Sequence, residues 1–233
     1  MTDAVALRRT DAVFFDVDFT LIYPGPAFQG VGYRRFCAAH GISVDEDRFD
    51  DAVREALADL EEAGHLYHDD IFIRYTRRIV EGMGGTGSDS ELNACAREIY
   101  VAWAACHHFH LYDDVAEVLR TLSAGGVKIG LISNSHRSLD EFRAHFNLAS
   151  VVAAVSSAEH GFMKPHPSIF HAALEQAGAR ADTSMMVGDS LAHDIAGARA
   201  VGMRPVLLHR APGDPPAVDV PVIRTLAELP ALL

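Results

Sequence analysis

The chain is 233 residues long, 49% apolar, and carries a formal net charge of −12. That length suits one large domain, or a core with a smaller companion, and the apolar share is enough for a sizeable interior. The acidic balance disfavours nucleic acid or an anionic membrane surface as main partner, while an anionic small substrate stays possible wherever a metal ion or a lysine reverses the local field.

The first residues, MTDAVALRRTDAVFF, lack the positive, apolar and small-residue succession of a leader, and no apolar run approaches the length that spans a bilayer. Cys37, Cys95 and Cys106 are spaced neither as CxxC nor as a zinc pattern, so buried free thiols are expected. The expectation is a soluble, reduced, cytoplasmic protein.

Five short apolar runs mark strands: 12–15 (AVFF), 127–133 (VKIGLIS), 151–157 (VVAAVSS), 184–190 (SMMVGDS) and 204–209 (RPVLLH). They are continuously apolar rather than alternating, as expected for strands covered on both faces. Helical stretches at 113–124, 137–146, 168–178 and 191–200 lie between or beside the last four; the first carries the stripe Val115, Val118, Leu119, Leu122 and closes on Gly125-Gly126. Strand–helix alternation with short links predicts a parallel α/β sheet. Residues 23–109 differ. They contain no good strand and read as helices over 26–40, 45–63, 68–82 and 89–106, with GMGGTG (82–87) as a breaker. An all-helical block is thus inserted directly after the first strand. Residues 211–221 read as a loop rich in proline and glycine.

Polar residues gather where the strands end. Asp16, Asp18 and Thr20 follow the first strand; Ser133 and Asn134 follow the second; Lys164 precedes a helix; Asp189, Ser190 and Asp194 follow the fourth. Open parallel sheets bind ligands beyond the carboxyl ends of their strands. Asp16 and Asp18 are two residues apart on an extended chain and so face the same way. A carboxylate fixed at a strand end serves as nucleophile or metal ligand, and a neighbouring carboxyl can hold a proton and act as an acid. Ser190 is a candidate N-cap, which puts Asp194 in the first helical turn facing Asp189. Asp16, Asp18, Asp189 and Asp194 together demand a hard cation, and an oxygen-only ligand set favours Mg²⁺.

This constellation resembles the haloacid dehalogenase superfamily in order as well as in residues. DVDFT is similar to its first motif, ISN (132–134) to its second, KP (164–165) to its third and GDSLAHD to its fourth; the helical block resembles the cap of the subfamily that carries one between the first two motifs. The resemblance implies a Rossmann-like open parallel sheet flanked by helices over 1–22 and 110–233, and a helical cap domain over 23–109. It implies a Mg²⁺-dependent phosphatase acting on a small phosphorylated metabolite, as monomer or homodimer. Asp16 would be the nucleophile that becomes an aspartyl-phosphate, and Asp18 the acid and then the base. Mg²⁺ would be held by Asp16, the Asp18 backbone carbonyl, Asp189 and Asp194. Ser133, Asn134 and Lys164 would hold the transferring oxygens, and Thr20 would brace the loop beside the substrate. An acid at position 18 goes with phosphatases rather than with 2-haloacid dehalogenases. The same fold would also suit a phosphomutase of the β-phosphoglucomutase type or a non-catalytic interaction module.

Phe19 departs from the motif, which usually has a small or polar residue there; packing against the cap is expected, with substrate contact as the second possibility. HHFH (107–110) lacks the spacing of a helical metal site. His136, His160, His166, His193 and His209 fall near strand ends or helix starts, where any could line the pocket. Arg74, Arg77 and Arg78 are expected on a solvated helix face, and Trp103 in the cap core.

Overall fold

Six parallel strands form the centre of the computed structural model, which describes residues 9–61 and 64–233. The first eight residues of the expected core, and the last two of the helix expected over 45–63, lie outside the described residues. Strands β1 (Ala12–Phe15), β4 (Lys128–Ser133), β5 (Val151–Ser156), β6 (Ser184–Gly188), β7 (Arg204–Leu208) and β8 (Val222–Ile223) assemble in the order β5-β4-β1-β6-β7-β8. β1 is central, with Phe15 in register with Leu131 on one side and Val187 on the other.

The continuous apolar runs follow from burial on both faces. Val13 and Phe15 pack with Leu131, Val187 and the stripe of α5 (Val115–Ala124), joined by Leu139 and Phe142 of α6 (Leu139–His145). Ala12 and Phe14 point the other way, to Met186, to Ile169, Phe170 and Ala173 of α8 (Pro167–Ala177), and to Ala198 of α9 (Ala196–Ala200). A period of two with apolar residues at every position gives this two-sided core. Short α7 (Ser157–His160) follows β5.

Helices α1 (Gly30–Ala39), α2 (Phe49–Glu61), α3 (Asp69–Gly82) and α4 (Asp89–Trp103) fill the interval between the first and second sheet strands in chain order. Ser88 starts α4 with a capping box: its hydroxyl accepts from the Glu91 N–H while the Glu91 carboxylate accepts from the Ser88 N–H at 2.8 Å. The helices share an interior of Cys37, Ile79, Val80, Met83, Cys95 and Ile99. All three cysteines are buried free thiols.

The interval is not free of strand, contrary to expectation. β2 (Ile22–Pro24) and β3 (Phe109–Leu111) pair antiparallel, Tyr23 opposite His110, where the chain leaves the sheet and returns to it. Three-residue strands that meet across the whole insertion have no local pattern to betray them. β8, also missed, is two residues long. Among the described residues no helix is long and apolar enough to cross a membrane.

Candidate active site

The carboxyl ends of β1, β4 and β6 meet at a small acidic corner lined by Asp16, Asp18, Asn134, Lys164, Asp189, Ser190, His193 and Asp194. Asp16 extends β1 by one residue, its N–H donating to the Val187 carbonyl at 2.9 Å. The chain then turns sharply. The N–H groups of Leu21 and Ile22 donate to the Val17 carbonyl and that of Phe19 to the Ile22 carbonyl, which sets Asp18 beside Asp16 above the sheet. Phe19 sits in this turn at φ +64°. Arg210 stacks on Tyr112, pairs with Asp114 at 2.8 Å and donates to the Thr20 carbonyl at 3.0 Å, so the far end of the sheet clamps the loop.

Carboxylate oxygens of Asp16, Asp189 and Asp194 lie within 4.8 Å of one another. Two local features bring Asp194 there. The segment Leu191–Ile195 winds as a π-helical turn, with the N–H groups of Asp194 and Ile195 both donating to the Ser190 carbonyl. Such wide turns recur at functional sites because they re-aim a side chain. Gly188 leaves the space: a Cβ there would stand 2.2 Å from Asp194 Oδ2. Ser190 caps the turn as expected, its Oγ accepting from the His193 N–H, while its own N–H donates to Asp194 Oδ2 at 3.0 Å.

Lys164, 3% exposed, compensates the cluster. Its Nζ donates to Asp16 Oδ1 at 2.5 Å and to Asp194 Oδ1 at 2.7 Å. Burial disfavours its charge, yet the two carboxylates prevail and push its pKa up. Burial pushes Asp16 well above the ordinary carboxylate value, opposed by Lys164 and reinforced by Asp194 and Asp189. Asp189 is pushed up to about 7, through loss of hydration first and the Asp194 charge second. Its residue surface is nonetheless open to the cleft, so water tempers the first cause; the neighbouring charge is the firmer one. Three crowded carboxylates against one ammonium leave excess negative charge, and all three donors are oxygen. The residues therefore fit a hard divalent cation such as Mg²⁺.

Several sequence expectations need correction. The Asp18 side chain lines the same corner without being one of the three clustered carboxylates; it is paired with Arg137, whose Nη1 reaches Asp18 Oδ1 at 3.0 Å and Oδ2 at 3.3 Å, which leaves the expected part of its backbone carbonyl untouched. The Asn134 side chain is engaged in bracing the lysine: its Nδ2 donates to the Lys164 carbonyl at 3.0 Å and its Oδ1 accepts from the Lys164 N–H at 2.7 Å. It positions Lys164 with these two bonds, and the second Nδ2 hydrogen remains for a substrate oxygen in the corner that Asn134 lines. Thr20 is fully buried and outside the walls of the corner and of the chamber; its carbonyl takes the Arg210 bond, and its Oγ1 has no hydrogen-bond partner. Ser133 is 1% exposed and its Oγ has no hydrogen-bond partner, an unsatisfied hydroxyl at the end of β4. Phe19 is not packed away: it is 46% exposed and lines a cavity of about 470 Å³ under the helical insertion. Trp103 also lines that cavity, while packing on Phe28 and Phe109.

Sequence reasoning missed Arg137. It is 1% exposed, donates through Nη2 to the Trp103 carbonyl at 2.9 Å, and lies over the Phe109 ring at 4.3 Å. One buried guanidinium thus joins Asp18 to the end of α4 and to β3. No pattern announces a contact 119 residues apart in sequence; an arginine close behind ISN was the sole available hint. Of the five histidines, His193 lines the acidic corner, His136 stacks on Tyr100 in the apolar cavity, and His209 lines the outer cleft. His160 and His166 instead share the Ser168 hydroxyl, outside the corner. Arg77 bonds Glu81, Asp89 and Asn93 and is not among the described residues that line the corner, the chamber or the outer cleft.

The family model of haloacid dehalogenase-like hydrolases matches residues 10–202. The haloacid dehalogenase-like hydrolase domain-containing protein 3 of Danio rerio is 30% identical over 156 residues, 65% of this chain and 64% of that protein. The chain therefore spans slightly less than two thirds of that relative. The N-acylneuraminate-9-phosphatase of Mus musculus is 28% identical over 240 residues, 98% of this chain and 96% of that protein. A crystal structure of a HAD phosphatase from Thermococcus onnurineus superposes with a TM-score of 0.66 at 23% identity, covering 96% of this chain and 97% of the other, a likeness of fold.

Proposed function

Since the chain belongs to the haloacid dehalogenase-like hydrolases, we propose that it is a Mg²⁺-dependent phosphatase, hydrolysing a small phosphorylated metabolite through a phosphoryl group carried on Asp16. The observation that carries this reading is the bridging of Asp16 and Asp194 by Lys164, within a cluster where Asp189 completes three convergent carboxylates. Asp16, Asp189 and Asp194 would hold the cation, with the Asp18 carbonyl expected to join them. Bound there, Mg²⁺ supplies Lewis-acid stabilisation of charge on the phosphoryl oxygens.

The chain's own residues divide the rest. The Asp16 carboxylate attacks phosphorus as the bond to the ester oxygen breaks, and Asp18 gives its proton to that oxygen so that a neutral alcohol leaves. Asp18 then takes a proton from water, which attacks the same phosphorus; the bond to Asp16 breaks, and inorganic phosphate departs. Arg137 holds Asp18 in place through both steps, since a carboxylic acid can still accept from the guanidinium through its carbonyl oxygen. The Lys164 ammonium and the unsatisfied Ser133 hydroxyl supply donors for the equatorial phosphoryl oxygens. Asn134 fixes the backbone of Lys164.

A panel of phosphate monoesters assayed with Mg²⁺ and with chelator tests the proposal. Mg²⁺-dependent release of phosphate is expected, with a drop of about 10⁴-fold or more in Asp16→Asn, and labelled phosphate should be trapped on the wild-type chain by acid quench. Unchanged turnover by Asp16→Asn rules out the covalent route.

A further inference from the structure

The cavity of about 470 Å³ adjoins the acidic corner on one side only: it shares Asp18 and Asn134 with the corner, while Asp16, Asp189 and Asp194 are outside its walls. The walls come largely from the helical insertion, among them Tyr33 on α1, Val53 and Leu57 on α2, Phe72 and Tyr75 on α3, and Trp103 on α4. We infer that this chamber receives the leaving group, and that the enzyme selects phosphate monoesters of bulky, uncharged, apolar alcohols over sugar phosphates and over esters bearing a second anion. This rests on the phosphatase reading and deepens it.

Position comes first. If Asp18 protonates the departing oxygen, that oxygen lies within hydrogen-bond reach of Asp18, and the organic group attached to it extends to the side Asp18 faces. The chamber begins there, and its volume falls in the range of small-molecule pockets.

Charge comes second. No lysine or arginine is among the described lining residues, whereas two carboxylates, Asp18 and Asp50, are. A second phosphate or a carboxylate on the substrate would be buried without a counter-ion, which is costly.

Polarity comes third. A sugar would exchange hydration for a wall that is mostly carbon, where Gln29, Tyr33, Tyr75 and the unpartnered His136 Nε2 offer fewer hydrogen-bonding groups than the water they replace. The Thr76 hydroxyl already donates to the Phe72 carbonyl at 2.9 Å, and the Tyr100 hydroxyl to Asp69 at 3.0 Å. Burying hydroxyls without partners discriminates strongly against them.

Phe19 supplies an independent sign. A non-glycine residue at φ +64° is strained, and this one is 46% exposed at the junction of corner and chamber. Strain retained where it places an aromatic ring beside the reacting group is what an apolar leaving group would use.

The test uses the 233-residue chain with Mg²⁺ and compares kcat/KM for n-alkyl phosphates from ethyl to hexyl, for glucose 6-phosphate, and for acetyl phosphate. We expect kcat/KM to rise up to about fourfold per added methylene, with the hexyl ester ahead of glucose 6-phosphate by about 10²-fold. Leu57→Glu puts a charge on the wall at a residue 45% exposed, where the fold tolerates it, and should flatten the alkyl series. A flat wild-type series, glucose 6-phosphate as the better substrate, or an unaltered slope in Leu57→Glu overturns the inference while the phosphatase reading stands. Failure to hydrolyse any compound, acetyl phosphate included, overturns the phosphatase reading and takes the inference with it.

Discussion

The acidic corner and the apolar chamber meet at Asp18 yet are built on opposite terms. The corner is small and crowded with charge, and most of its groups have fixed partners: Lys164 on Asp16 and Asp194, Asn134 on the Lys164 backbone, the Ser190 N–H on Asp194. It stands on the end of β1 and on the helical turn after β6, regular elements of one two-sided sheet domain, a support that holds geometry tightly. The chamber is wide and mostly carbon, and it stands largely on helices of the insertion, which meet the sheet domain at the β2–β3 pair, at Arg137 and at the His136–Tyr100 stack. The contrast separates chemistry from selection: a reaction centre needs fixed charges, whereas an apolar pocket can change its occupant by changing a few side chains.

The largest effect should come from breaking the corner. Lys164→Met leaves Asp16 and Asp194 facing each other without their shared cation. Activity should fall by about 10²–10³-fold as a phosphoryl-oxygen donor is lost. Metal-free stability should fall by about 3 kcal/mol, the scale of removing one partner from a buried ion pair, or roughly 6–12 °C in Tm for a chain of this size. Thermal melts in chelator together with steady-state kinetics check both. A stable, active variant would mean that the corner is not electrostatically closed by lysine.

Next is the link between the two regions. Arg137→Lys keeps a positive charge near Asp18 but cannot also reach the Trp103 carbonyl and lie flat over Phe109. Misplacing Asp18 by an ångström should lower kcat by up to about 10²-fold with KM within about twofold, because the substrate's own contacts are untouched. A rise in KM at constant kcat would instead make Arg137 part of the chamber's support.

The corner should also respond to pH. Asp189 is pushed up to about 7 in the metal-free chain by lost hydration and by Asp194. Below that pH the group holds a proton that Mg²⁺ must displace; above it the carboxylate is already free. Mg²⁺ affinity should therefore weaken by up to about tenfold per unit as pH falls below 7 and level off above it. Calorimetric titrations at pH 5.5, 6.5 and 7.5 check this. A flat profile would show that Asp189 is already ionised across the range and that the cleft water governs it.

The same contrast governs what could be read from the sequence. Asp16, Asp18 and Asp189 were legible because charged residues at the ends of apolar strands have few structural uses, and parallel strands aim their ends at one place; Asp194 followed from its place in the first turn after Ser190, and Lys164 only from the resemblance of KP to a family motif. The sheet itself was legible because two-sided burial forces continuous apolar runs. The chamber was not. Phe72, Tyr75 and Trp103 obey the same helical periodicity whether a neighbouring helix or a cavity covers them, so Trp103 reads as core. Arg137 and the β2–β3 pair were hidden for another reason: each is a long-range contact with no local signature. For Asn134 the motif pointed to the site but not to its bracing of the Lys164 backbone, because a motif identifies the residue and not which partners its atoms take.

The smallest expected effect falls on the residue that belongs to both regions. Phe19→Gly removes the strain of a left-handed backbone, roughly 1–2 kcal/mol for a non-glycine residue, against the roughly 0.5–1 kcal/mol of extra chain entropy glycine loses on folding. The net should be a gain of about 0.5–1 kcal/mol, or about 1–4 °C in Tm. Loss of the ring should at the same time cost an apolar ester about fivefold in kcat/KM, the worth of about 1 kcal/mol of buried carbon surface. Acetyl phosphate, with little to place in the chamber, separates the two possible causes. If its turnover falls together with that of the hexyl ester, Phe19 acts through the Asp18 turn and belongs to the corner. If the hexyl ester alone suffers, the ring belongs to the chamber, and its strained backbone is the cost of placing an aromatic surface against the leaving group.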